Sequence, residues 1–395
     1  MSFLKKKENH FLILVLLGFT FYMLDPILFW KVTGTPYVNA SAIGQNPGDK
    51  LVFFDLRYLQ YLSGFFDSIF LPADQLYNLY KQEDGSMVIN YPRIWIVISY
   101  YTNIKSDIVL YSIYLTIFIC YTNIFFNLTK KTNSYFFTYL FFSGANLLLL
   151  ERGNVDVILI VLIFYSFLSN IKIINYTGYL LASFLKIYPA FSLFFFLKNK
   201  KSIFLIITLA LIFITYLFLI KEDLRNISLV NPKNGYSSYG FLSIIFNIKE
   251  HFNIDINYTL FAGSNLLIIF LMYYFFYKKK VRSIKYQYFD IFLLGGGIYI
   301  FTFIINTHHD YRLMYLMLCV PLIVSIDNKP FKIFYLITLI LSLELQRMLL
   351  LMGFWGGAIN SLSKLILFYI SFIIYLDIFN KLMSKILNYK NSLNE

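Results

Sequence analysis

The hydrophobic pattern of this chain is dominated by long apolar runs separated by short polar breaks. A helix needs about 20 apolar residues to cross the hydrocarbon of a bilayer. By that measure candidate spans fall at 10–30, 107–126, 134–150, 154–170, 202–220, 259–277, 286–305, 311–326, 331–350 and 361–380. One further apolar stretch, 174–197, is interrupted midway by Lys186-Ile-Tyr-Pro189. The pattern predicts an all-α, polytopic transmembrane protein of about ten spans, forming one integral membrane domain over 1–395. Two long loops, 31–106 and 221–258, separate the spans. Within the first, Leu56, Leu59, Leu62, Phe66 and Ile69 recur at helical spacing, which predicts an amphipathic helix over 56–70 lying in the membrane interface. No internal repeat stands out.

Charge orients these elements. Short loops rich in Lys and Arg stay on the cytoplasmic side. Lys5–Lys7, Lys130 with Lys131, Lys198 with Lys200 and Lys201, Lys278–Lys280 with Arg282, Lys329 with Lys332, and Lys381 with Lys385 all belong to such loops. A single full span over 174–197 would put Lys198–Lys201 outside and invert every later loop. A re-entrant pair of half-helices turning at Lys186 keeps the bias throughout. Irregular backbone at membrane depth is tolerated only where protein or a water-filled cavity surrounds it, so this pattern implies a polar cavity near Lys186. Both termini are then cytoplasmic and the two long loops external. The first run follows three lysines and lacks a small-residue cleavage site, so it is expected to be a retained signal anchor in the cell membrane.

Composition agrees. Hydrophobic residues make up 58% of the 395 and charged residues only 14%, well below the quarter or so of a soluble domain, so most of the chain needs no water-facing surface. The aromatic excess accompanies equally abundant Ile, Asn and Lys and carries no binding signal of its own. The net charge of +13 sits in the short loops, which points to membrane orientation and excludes a nucleic-acid partner. Cys120 and Cys319 both lie inside apolar runs and read as inert core residues.

In this orientation the remaining ionisable residues collect on the external side or in the outer half of the membrane. They are Asp55 and Arg57, Arg93, Glu151-Arg-Gly-Asn-Val-Asp156, His308-His-Asp-Tyr-Arg312, and Glu344 with Arg347, with Lys186 reaching the same level. Ionisable groups in membrane segments are costly and mark cavities, ion paths or paired structural sites. Carboxylates can take a proton from an attacking hydroxyl; Arg, Lys and His can hold a phosphate as it leaves. The combination suits group transfer from a lipid phosphate. Structural readings stand beside it. Glu344 and Arg347 at i, i+3 can satisfy one another, and Glu151–Arg152 can be a helix-end pair. His308, His309 and Asp310 resemble a metal cluster, but adjacent side chains on a helix point about 100° apart, so metal binding is not expected there. Gly295-Gly-Gly297 reads as a site of close helix packing.

The ordered set Asp55-Leu-Arg-Tyr58, Asn90-Tyr-Pro-Arg-Ile-Trp95, Glu151-Arg-Gly-Asn-Val-Asp156, Leu185-Lys-Ile-Tyr-Pro189 and Asp310-Tyr-Arg312 resembles the polytopic glycosyltransferases of family 87. These belong to the GT-C superfamily and include enzymes similar to polyprenol-phosphate-mannose-dependent mannosyltransferases. The resemblance implies transfer of a hexose, mannose-like, from a polyprenyl-phosphate sugar donor to a lipid or glycan acceptor of the cell envelope, on the external face. It implies Asp55 as catalytic base, with donor phosphate contacts from Arg152, Lys186 and Arg312. Arg57, Arg93, Asn154, Asp156, Tyr188, His308, His309 and Asp310 would line the cavity. No cofactor is implied; metal use varies across the superfamily and a divalent ion is left open. Some members carry a soluble C-terminal domain; this chain is expected to lack one, which leaves acceptor binding without an assigned element. The rivals are a lipid-linked saccharide polymerase, which would share an outer-face site, and a flippase or transporter, against which the one-sided polar clustering argues. The topology is testable directly. With Cys120 and Cys319 replaced, single cysteines at Lys172 and Lys200 should react with an impermeant reagent from the same side of the membrane; labelling from opposite sides removes the re-entrant pair.

Overall fold

The computed structural model describes residues 6–28, 62–71, 75, 92–104, 106–151, 154–197, 200–230, 238–277, 288–305, 308–344, 348 and 351–388. Those residues are almost entirely helical. In chain order the helices are α1 (Lys7–Leu28), α2 (Ile94–Tyr101), α3 (Asp107–Thr132), α4 (Phe136–Phe141), α5 (Gly144–Glu151), α6 (Val155–Leu168), α7 (Lys172–Leu185), α8 (Lys200–Leu219) and α9 (Lys221–Val230). The two-residue strand β1 (Ser238–Tyr239) follows, then α10 (Phe241–Phe252), α11 (Tyr258–Met272) and α12 (Phe289–Ile305). Strand β2 (His308–His309), α13 (Val320–Ser325), α14 (Lys329–Leu343) and α15 (Phe354–Asn388) complete the series. Short 3-10 segments cover Ser63–Ser68, Tyr188–Phe196 and Asp310–Leu318. The chain divides into two compact units. The first takes 1–52, 122–151 and 234–395; the second takes 53–121 and 152–233.

Four described helices are long and apolar enough to cross a membrane: Ile108–Thr132, Ser202–Leu219, Tyr258–Phe275 and Phe354–Ile386. This is fewer than the ten expected, and the reason is visible in the shorter ones. The run over 134–150 breaks at Phe142–Ser143 into α4 and α5. The run over 311–326 begins as a 3-10 segment, and Pro321 enters at the first turn of α13. A helix of 14 or 15 residues, such as α6, α7 or α14, rises only about 21–23 Å, short of the roughly 30 Å of hydrocarbon. In α12 nearly every described side chain from Phe289 to Phe303 is buried, as expected for a helix apolar all round and enclosed by protein. The interfacial helix expected over 56–70 is, where described, a 3-10 turn; Leu62 is buried and Phe66 stacks on Tyr100 at 3.9 Å.

In the second unit the chain doubles back after α7. Lys186 leaves the helix in extended conformation (φ −148°, ψ 142°), and Pro189 opens the 3-10 segment. The returning segment packs on the helix it has just left. Tyr179 Oη donates to Ala190 O at 2.6 Å, and Phe196 meets the rings of Tyr176 and Tyr179 at 5.4 and 5.2 Å. Helix α8 then runs alongside α7 until Tyr216 Oη reaches Phe184 O at 2.7 Å. The starts of α7 and α8 therefore share one end, and Lys186 sits at the other.

The first unit also has two distinct ends. At one, Lys7 donates to Asn133 O (2.9 Å), Lys131 lies over the Tyr288 ring and Lys381 over the Phe289 ring. From there α12 runs away to the β1–β2 ribbon, whose register pairs Ser238 with His309 and Tyr239 with His308. Helices α11 and α15 run parallel: Phe270 meets Phe372 at 6.2 Å, Asn380 Nδ2 donates to Tyr273 Oη at 2.8 Å, and Tyr369 bonds Asn265. Helix α14 is antiparallel to α15, with Tyr335 bonded to Ser371 and Asn360 capping Leu341 O and Ser342 O.

Two glycines allow close approach. A Cβ on Gly295 would stand 2.4 Å from Tyr315 O and 2.7 Å from Leu318 Cβ, so the Gly295–Gly297 run serves packing of α12 against the 310–318 segment. A Cβ on Gly178 would stand 1.7 Å from Ser166 Oγ, where α6 and α7 touch. Overpacking of this kind costs about 1–3 kcal/mol or more. Gly178→Val should lower the melting temperature in detergent by several degrees, whereas Gly263→Ala, with open space at its Cβ, should stay close to wild type.

Candidate functional site

The polar end of the second unit is built around one buried ion pair. Helix α6 begins at Asn154, whose side chain accepts from Asp156 N at 2.9 Å and caps the helix. The cap fixes the first turn and with it the Asp156 carboxylate. Lys186 Nζ meets Asp156 Oδ1 at 3.0 Å, with the two side chains 7% and 0% exposed. The Lys186 ammonium also stands 5.7 Å from the centre of the Tyr188 ring, within cation–π range. Trp95, buried on α2, donates its indole N–H to Leu185 O at 2.8 Å, which satisfies one of the carbonyls that α7 leaves open at its end. Asn154, Asp156, Lys186 and Tyr188, separated along the sequence, are thus gathered where the chain turns back.

Arg93 closes the same unit. Its Nε donates to both Asp223 oxygens at 2.9 and 3.0 Å, and Nη1 donates to Ile69 O and Leu71 O. The guanidinium therefore clamps the 62–71 segment to α9. Burial raises the Asp223 carboxyl above the usual range, and the Arg93 contacts pull it back. Arg93 is anchored in this clamp rather than presented as an isolated cation, and its partner Asp223 has no counterpart in the motif set.

The first unit holds a second buried pair. Lys364, 1% exposed on α15, meets the Asp310 carboxylate at 2.7 Å and donates to Ser238 O at 3.2 Å. One ammonium thereby ties the last long helix to both strands of the ribbon, since Ser238 opens β1 and Asp310 follows β2. Tyr299 Oη donates to Lys364 O, and Tyr239 Oη bonds Thr302 Oγ1. His308 Nδ1 is bonded to the Arg312 guanidinium, and its ring lies 5.8 Å from Tyr239. His308 and His309 are strand residues, not helical ones, so the 100° argument against a His–His–Asp metal site does not apply. Among the described residues no three His, Cys, Asp or Glu side chains gather as metal ligands. Glu344 accepts from Tyr139 Oη at 2.7 Å and from Gly144 N at 3.4 Å, placing a carboxylate at the start of α5, where the helix dipole favours it.

Asp55, Arg57 and Arg152 lie outside the described residues, as do Arg347 and the side chain of His309. Of the three expected phosphate contacts, Lys186 belongs to the second unit and Arg312 to the first. The motif set includes Trp95 but gave it no role, and it passed over Lys364 and Asp223. Lys364 had a usable signal, being an ionisable residue inside an apolar run. No family model, no curated protein and no solved structure matches the chain.

Removing one member of a buried ion pair leaves an uncompensated charge and costs about 3–5 kcal/mol. Lys186→Met should therefore destabilise the protein strongly in a thermal melt. The double variant Lys186→Met with Asp156→Leu should recover a large part of that loss. Equal losses in single and double variants would mean that the pair is not the coupled unit described.

Proposed function

We propose that the protein is a membrane glycosyltransferase that moves a hexose from a polyprenyl-phosphate donor to a lipid or glycan acceptor of the envelope. The observation that carries this reading is the Lys186–Asp156 pair. It lies at the point where the chain turns back, with Asn154 and Tyr188 around it, all from the two most telling motifs of the resemblance. Taking an ammonium and a carboxylate out of water costs several kcal/mol per ion before pairing. A cation retained there supplies a charge-assisted contact for a phosphate.

In this reading the acceptor hydroxyl attacks the anomeric carbon of the sugar. The bond from that carbon to the phosphate oxygen breaks, and the polyprenyl phosphate leaves with the electron pair. Asp55 takes the hydroxyl proton. Lys186, fixed by Asp156, and Arg152 are the second unit's phosphate contacts; the resemblance alone adds Arg312, which His308 orients within the first unit. The resemblance gives Arg57, His309 and Asp310 as cavity-lining residues and leaves the acceptor without an assigned element, while Arg93 holds the 62–71 segment in place.

The orientation follows the charges. The end of the first unit that gathers Lys7, Lys131 and Lys381 is read as cytoplasmic, and the ribbon end as external. The parallel run of α11 and α15 supports this, because both then pass from outside to inside. The shared end of α7 and α8 supports a re-entrant pair reaching Lys186 from the cytoplasmic side. The shorter helices, joined to their 3-10 continuations, complete about ten crossings.

Purified protein incubated with labelled polyprenyl-phosphate sugars and extracted envelope lipids should yield a labelled product. Asp55→Asn separates the base from a helix cap, since the amide keeps an oxygen that can cap but cannot accept the proton. Turnover should fall by about a hundredfold or more, with expression and donor binding intact. Near-wild-type turnover would end the role of Asp55 and pass it to Asp156.

A further inference from the structure

The described residues contain a patch of exposed apolar side chains on the first unit that the chemistry above does not use. It lies where α10 gives way to α11 and where α15 begins. Phe252, in the last turn of α10, and Phe354, the first residue of α15, meet at 6.5 Å, and His251 packs on Phe354 at 4.9 Å. Trp355 stands against Phe354 at 5.4 Å and is 68% exposed. Leu351, Met352 and Ile254 extend the same exposed surface.

The surroundings of the patch change sharply on its two sides. On one side lie α11 and α15, two helices long and apolar enough to cross a membrane. They run parallel and carry exposed Leu260, Leu267, Phe270 and Leu362 along their length. On the other side Lys249 and Asp255 form an ion pair at 2.6 Å with both side chains well exposed, as suits charges in water. Between them α10 ends at Asn253 in the left-handed conformation (φ 54°, ψ 35°), a helix stop that turns the chain from α10 into the start of α11.

We propose that this patch is the docking surface for the outer leaflet of the bilayer. Phe252, Phe354 and Trp355 form an aromatic anchor at the boundary between headgroups and acyl chains. A bilayer is the occupant because the patch is continuous with the exposed apolar flanks of α11 and α15 and ends where the exposed charges begin. Aromatic rings with one apolar and one wet side prefer that depth. The anchor sets the level at which α11 and α15 enter the membrane. With it goes the height of the ribbon held by Lys364, which sits two to three turns into α15. The inference rests on the membrane crossings and on the orientation read from the charges, not on the transfer chemistry; a failed transferase assay leaves it standing.

The test uses the full chain in phosphatidylcholine–phosphatidylglycerol vesicles. In a Cys120→Ala, Cys319→Ala background, single cysteines at Lys249, Phe252, Trp355 and Leu362 carry a nitroxide. Accessibility to oxygen and to a water-soluble nickel complex then reads depth. Labels at 252 and 355 should agree in depth, several-fold more accessible to oxygen relative to nickel than 249 and several-fold less so than 362. Position 362 lies about 10 Å further along the helix. Water-like values at 252 and 355, equal to 249, would overturn the proposal. So would exclusion of both probes from the two sites, which marks a protein partner such as a second copy. If the cysteine-free background does not fold, tryptophan fluorescence of a Trp30→Phe protein in vesicles of lipids brominated near the headgroup gives the same answer. Trp95 is buried, and adding Trp355→Phe should abolish most of the quenchable emission; unchanged quenching overturns the anchor.

Discussion

Among the described residues, the buried Lys186 and Lys364 and the half-buried Arg93 are each met by an opposite charge supplied from another part of the chain. That constraint organises both units. Lys186 is held by Asp156 across a helix hairpin, Lys364 by Asp310 and Ser238 O across a ribbon and a long helix, and Arg93 by Asp223 across a large part of the second unit. In an apolar surrounding an unpaired ion is worth several kcal/mol of destabilisation, comparable with the net stability of a whole domain. The pairs therefore act as registry pins: α7 cannot slide on α6, nor α15 past the ribbon, without separating charges. The bulk of the packing consists of interchangeable Phe, Ile and Leu contacts, which fill space without specifying register.

The same constraint decides how much was legible beforehand. Helical runs were readable because apolar length is local information, and each expected span that falls on described residues is helical. Their subdivision was not. Whether a run of 17 residues is a lipid-facing span or an enclosed helix such as α12 depends on what surrounds it, and the enclosing side chains come from 310–318 and α15. The close approach at Gly295–Gly297 was read from three adjacent glycines. The equally tight contact at Gly178 was not, because a lone glycine in a helix has no partner visible in sequence.

The polar residues show the same division. Asn154, Asp156, Lys186 and Tyr188 were found because they sit in compact motifs at a break in the hydrophobic pattern. Lys364 was passed over, although its place inside an apolar run is itself a signal, because its partner lies 54 residues away; Asp223 is 130 residues from Arg93. The His308–His309 pair was assigned to a helix because no strand pattern can be seen in two residues. What makes them a strand is β1, contributed by a segment that precedes the three intervening helices α10, α11 and α12. Pairings of this kind are set by topology, which residue spacing does not encode.

Lys364 also shows how one buried charge sets the geometry of residues far from it in sequence. Its ammonium fixes the ribbon at Ser238 and Asp310, and the ribbon carries His308, which is bonded to Arg312. A side chain that has to keep one position needs a rigid mount, and a two-residue strand pair is too short to hold itself. Ladders of this length are marginal without packing or cross-links. The buried lysine supplies the cross-link, and it does so from a helix whose own position is set by α11, α12 and α14. The charge pair is thereby the element through which the rigidity of four packed helices reaches a loop that could not otherwise keep its shape.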